Sequence, residues 1–138
     1  TILSVQPGHS VSPALLAEAV AEQFPGRLNP MTCASISRHA AATWTHSGHL
    51  QGRSNKTRAA ASCGPAATAY ALLLGYLCGS RGAALFETFW AKITDASLPR
   101  LHEQAFAASR LGWLEYRHAG DVTDVRFSYL LREEVGDE

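Results

Sequence analysis

Cysteine is scarce in this chain. Only Cys33, Cys63 and Cys78 occur, with no CxxC pair, which excludes a disulfide scaffold and fits a reducing cytoplasm. Long apolar runs are also missing. The longest candidate, residues 66–77, falls short of the roughly 18 residues needed to cross a bilayer and reads as a buried helix. Thr1-Ile2-Leu3-Ser4-Val5 has no basic segment leading into an apolar one, so no secretory signal is read there. Charged residues make up only 17% of the 138, against 46% hydrophobic, which is enough apolar material for a packed core and too much for a disordered chain.

The most informative absence is acidic. Between Gln23 and Phe86 there is no Asp or Glu, while Arg27, Arg38, Arg53, Lys56, Arg58 and Arg81 all fall in that stretch. The formal net charge of zero hides this split: residues 1–86 hold six bases and two acids, and residues 87–138 hold six bases and ten acids. A long acid-free stretch suits a surface that faces a polyanion, because each carboxylate near a phosphate costs affinity.

Several chemistries lack their residues. Gly75, Gly79 and Gly82 lie in or between predicted helices, with no strand leading into a phosphate loop, so nucleotide binding is not expected; Gly75 and Gly79 suit close helix packing instead. Cys63 stands at a helix start, where a thiolate is stabilised, yet no base or orienting partner accompanies it. Cys33, His46, His49 and Cys63 can be written as a zinc set, but the knuckle spacing of structural zinc sites is absent. The sequence therefore predicts no enzyme, no cofactor and no metal.

Helical signals are strong. Ser12-Pro13 opens a first helix, in which Leu15, Leu16, Ala19, Val20 and Phe24 recur at helical spacing until Pro25-Gly26 stops it. Thr32 is read as the cap of a second helix ending near His46, and residues 51–58 as a mobile basic loop or wing. Gly64-Pro65 opens an apolar helix to Leu77, residues 83–93 form a short helix, and Ser97 caps a helix over 98–111. Leu114 to His118 and Val122 to Ser128 alternate as two strands around Ala119-Gly120-Asp121. Trp44, Trp90 and Trp113 each fall in an apolar pattern and are read as core.

The order of elements over residues 83–129, ending in Ala107-Ala108-Ser109-Arg110-Leu111-Gly112-Trp113-Leu114-Glu115-Tyr116, resembles the winged-helix family of helix-turn-helix proteins. The resemblance spans about the last 65 residues, from Pro65 onward, and a weaker version of the pattern runs from Pro13 to Arg58. A fainter resemblance is to proteins of bacterial mobile or phage-defence islands. What the first resemblance implies is a mostly α chain with a small β-hairpin wing: two helix-turn-helix-like lobes sharing one core. The lobes are expected at 1–60 and 61–132, followed by an acidic tail at 133–138.

The functional expectation is double-stranded DNA binding dominated by phosphate contacts. On the second helix, Cys33, Ile36, Ala40, Thr43 and Trp44 are expected inside. Ser35, Arg38, Ala42 and Thr45 lie opposite, with His39 and His46 at the edge. The expected contacts are Ser35, Arg38, His39, Thr45, His46, Arg53, Lys56 and Arg58. The helix over 98–111 is expected to bury Leu98, Leu101, Ala105 and Ala108 and to expose Arg100, Glu103, Gln104, Ala107 and Arg110. Glu103 and the acids of the following hairpin make that half less suited to DNA, so a protein partner or a homodimer is expected there. The alternative for the whole chain is an adaptor or dimerisation module of a larger bacterial assembly.

Overall fold

The computed structural model describes residues 1–133. The acidic tail expected at 133–138 therefore lies outside the described residues, apart from Glu133. The chain is mostly α-helical with small antiparallel sheets, and it divides into two units, the first spanning Thr1–Ala61 and the second beginning at Ser62. Among the described residues no helix is long and apolar enough to cross a membrane.

The first unit opens with a 3₁₀ turn, Ile2–Ser4, and strand β1, Ser10–Val11. Helix α1 is Pro13–Gln23, and its Ser12 cap accepts the Leu15 amide at 3.1 Å. Helix α2 is Pro30–His46. It starts before the expected Thr32 because Pro30 fits the first turn and Asn29 takes the cap, its Oδ1 accepting the Thr32 amide at 2.8 Å. Of the two forms expected for residues 51–58, a mobile loop or a wing, the structure has a hairpin, formed by β2, Leu50–Gln51, and β3, Lys56–Arg58. Strand β3 pairs antiparallel with both β2 and β1, giving the order β1-β3-β2. Gly52 makes the turn possible: its φ is 104°, and a Cβ there would collide with the Asn55 carbonyl oxygen.

Helix α2 is rolled relative to the expected face. Cys33 and Ser37 are buried, whereas Ile36 and Thr43 are exposed. A serine can take the inner position because its hydroxyl donates to the Ala34 carbonyl at 2.9 Å and so carries no unsatisfied group inward. The core of this unit is Ile2, Val11, Leu16 and Leu50, with Trp44 packed against it.

The second unit contains α3, Pro65–Leu77, a 3₁₀ segment, Gly82–Glu87, α4, Phe89–Ile93, and α5, Leu98–Arg110. The single helix expected over 83–93 breaks at Thr88, which is extended and caps α4 by accepting the Ala91 amide at 3.2 Å. Ser97 caps α5 in the same way, accepting the Arg100 amide at 3.3 Å. Strands β4, Glu115–Ala119, and β5, Val122–Arg126, then form a tight hairpin around Gly120-Asp121.

Leu72, Leu85, Phe86, Leu101, Ala105, Ala108, Leu114, Val125 and Phe127 are all buried in one cluster. The alanines at 105 and 108 leave room for α3 to pack closely on α5. Two outward and inward assignments on α5 are corrected: Leu98 is 50% exposed at the first turn, and Gln104 is buried. Each unit thus has its own cluster of buried residues rather than the single shared core expected, because each has its own hairpin closing over its own helices.

Candidate nucleic-acid interface

Arg38 projects from the middle of α2, from a turn fixed from behind by Ser37, Ala41 and Trp44. Arg53 and Ser54 lie in the β2–β3 turn, and Lys56 begins β3. These side chains line one depression of about 170 Å³, together with Ser37, Val11, Pro13, Leu16 and Ala41. The rim is cationic and hydroxylic, the floor is apolar, and no carboxylate lines it. The only acids of the first unit, Glu18 and Glu22, are on α1, and neither lines the depression. Lys56 Nζ donates to the Gly52 carbonyl at 3.0 Å, which ties the turn into an arc. Among the described residues neither Arg38 nor Arg53 has a hydrogen-bond or ion-pair partner, so both guanidiniums keep their donors for a ligand.

The eight residues singled out from the sequence fall into three groups. Arg38, Arg53 and Lys56 converge. Ser35, His39 and His46 lie along the outward side of α2, with His39 and His46 exposed and Ser35 half-buried. Thr45 and Arg58 are occupied by the fold. The Thr45 hydroxyl donates to the Ala41 carbonyl at 2.7 Å within its own helix.

Arg58 is the clear correction. It is only 2% exposed, and its guanidinium donates to the carbonyls of Ile2, at 3.0 Å, and His49, at 3.3 Å, and to that of Ala59. It ties the N-terminal 3₁₀ turn to the sheet and is not presented to a phosphate. Ser37 and Ser54 also line the depression, and neither is among the residues expected from sequence. Ser54 falls in a polar segment without periodicity, and Ser37 on a helix rolled away from its expected face.

The residues weighed for other chemistry are placed as follows. Cys33 is buried on α2, and Cys63 is buried before α3 with its thiol 3.1 Å from the Thr68 hydroxyl. His49 is buried, shares a 2.7 Å hydrogen bond with the Ser47 hydroxyl and meets Trp44 edge-on at 4.9 Å. Among the described residues no three His, Cys, Asp or Glu side chains come together as a ligand set.

The corresponding surface of the second unit differs. On α5, Arg100 pairs with Glu103 at 3.2 Å, and Phe106 is exposed. On the hairpin, Asp124 pairs with Arg126 at 3.2 Å, and Glu115 accepts the Ser128 amide at 3.3 Å. Between helix and hairpin, His102 stacks on Phe86 at 4.2 Å and shares a 2.6 Å hydrogen bond with the Tyr116 hydroxyl; the His118 ring lies 4.9 Å away. Burial, and then the neighbouring His118, hold the His102 imidazole below its usual range, and burial raises the Tyr116 hydroxyl.

No protein-family model, no curated protein and no solved structure matches this chain.

Proposed function

We propose that this protein binds double-stranded DNA through its first unit, as a winged helix in which α2 enters the major groove and the β2–β3 turn follows the backbone. The observation that carries the reading is the convergence of Arg38, Arg53 and Lys56 on one carboxylate-free depression between helix and hairpin. The outward side of α2 supports it: it offers Arg38, His39, Ala42 and His46, small or basic groups without an acid, along a helix of 17 residues. Such a face fits a groove about 12 Å wide. Arg53 and Lys56, at the turn, contact phosphates and set position; Arg38, held from behind by a packed helix, reaches a base edge or the adjoining phosphate.

The test is duplex binding by fluorescence anisotropy over a salt series. We expect binding at low salt that weakens steeply as salt rises. The paired change Arg53→Ala and Lys56→Ala should weaken binding to all sequences alike. It should also reduce the slope of log K against log salt by about 0.9 for each phosphate that the two side chains neutralise. Wild-type protein that binds no duplex at low salt would overturn the reading in favour of an adaptor module.

A further inference from the structure

The second unit carries a helix face that its own fold leaves uncovered. Helix α5 turns Leu101, Ala105 and Ala108 inward and Glu103, Phe106 and Arg110 outward. Phe106 is 54% exposed in the middle of that stripe. The charges are disposed about the ring with opposite signs: the acid stands one helical turn before it, the base one turn after. Among the described residues Arg110 has no ion-pair partner.

We propose that α5 is a homodimerisation helix, which pairs antiparallel with α5 of a second copy about a two-fold axis near Phe106. In an antiparallel pair, the residue one turn before the axis on one helix meets the residue one turn after it on the other. Glu103 of each copy then meets Arg110 of the other, and the two Phe106 rings pack at the centre. A parallel pairing would set Glu103 against Glu103 and is disfavoured by charge.

The Arg100–Glu103 contact does not compete strongly, because both side chains are more than half exposed and a surface pair of that kind is worth little. Glu103 also makes the face a poor one for DNA, since it would stand among phosphates. A helix of 13 residues buries less area than a standard stable interface, so the dimer is weak and concentration-dependent.

The test is sedimentation equilibrium of the full chain from low micromolar to several hundred micromolar. The wild-type mass should rise toward that of a dimer, and Phe106→Glu should weaken association by roughly thirtyfold, the size of a hot-spot loss. Glu103→Arg and Arg110→Glu should each weaken it alone. An equimolar mixture of those two variants should restore it, because every contact in the mixed pair again joins opposite charges. All three sites are exposed, so unchanged circular dichroism keeps the comparison fair. A wild-type chain that stays monomeric throughout, or charge variants that dimerise as well as wild type, would overturn the proposal. Loss of duplex affinity in Arg110→Glu with the mass unchanged would overturn it in favour of nucleic acid. The sedimentation readouts do not depend on whether the first unit binds DNA.

Discussion

Helix α2 of the first unit and helix α5 of the second each lead through a short turn into a β-hairpin, yet the first presents bases without acids and the second a mixture of both. The outward side of α2 and its hairpin turn hold Arg38, Arg53 and Lys56 with no acid among them. The outward side of α5 holds a salt-bridged Glu103 and an exposed Phe106, and its hairpin carries Glu115, Asp121 and Asp124. The units also differ in how they are held together. Among the described residues the second has eleven members in its buried cluster and the first has four, supplemented by the hydrogen bonds of Arg58. An order of elements thus decides neither partner nor source of stability; the side chains placed on it do.

The largest expected effect follows from that difference in construction. Arg58→Ala leaves the carbonyls of Ile2, His49 and Ala59 without their shared donor in a unit too small to absorb the loss. At about 1.5–3 kcal/mol for each hydrogen bond from the charged guanidinium that is lost, the change should unfold the first unit. Two-dimensional amide NMR of the full chain should show collapsed signals for residues 1–61 and dispersed ones for α5 and its hairpin. Dispersed signals throughout would show that Arg58 is not the tie.

The next effect sharpens the functional contrast between the helices. Arg38→Ala should cost about 1–3 kcal/mol in duplex binding if the guanidinium reads a base, whereas Arg100→Ala, at the start of α5, should change it by less than about 0.5 kcal/mol. Equal losses would erase the distinction between the units.

What can be read from sequence and what cannot divide along the same line. Local signals suffice for Ser12, Ser97 and the Gly120 turn, because a cap or a tight turn is specified within a few residues. Alternation over 114–128 likewise points Leu114, Tyr116, Val125 and Phe127 inward, and all but the half-buried Tyr116 are buried. Strands β2 and β3 are two and three residues long, rich in polar residues, and β3 is paired to β1 from more than forty residues away, so a wing is one of two local readings there and the pairing is not legible. Arg58 is misread for the same reason: its acceptor at Ile2 is 56 residues distant, and a basic residue in a polar segment reads as exposed. Arg38, Arg53 and Lys56 are identifiable as candidates from charge alone, but their convergence requires the hairpin.

A smaller effect concerns acid. The His102 imidazole is held below its ordinary value in the folded second unit, so the unfolded chain takes up a proton first as pH falls. Stability from this group is complete above the unfolded value of about 6.5 and is lost as pH drops below it. The facing groups are Phe86, Tyr116 and His118. Thermal melts at successive pH values should show the second unit losing stability as pH falls below about 6.5, with His102→Asn reducing that dependence. Equal pH dependence in the variant would remove His102 from the account.

The smallest expected effect is Thr45→Ala. Its hydroxyl is engaged with the Ala41 carbonyl, so duplex affinity should move by less than about 0.5 kcal/mol, as measured by the same anisotropy assay. A larger loss would return Thr45 to the interface.

The central claim is that one unit faces DNA and the other does not. Amide NMR of the wild-type chain titrated with a short duplex of random sequence tests it directly. Shifts and broadening should concentrate at residues 35–46 of α2 and 52–57 of the hairpin and be reversed by added salt, with α5 and β4–β5 unmoved. Perturbations centred on α5 and the second hairpin, with α2 silent, would contradict it.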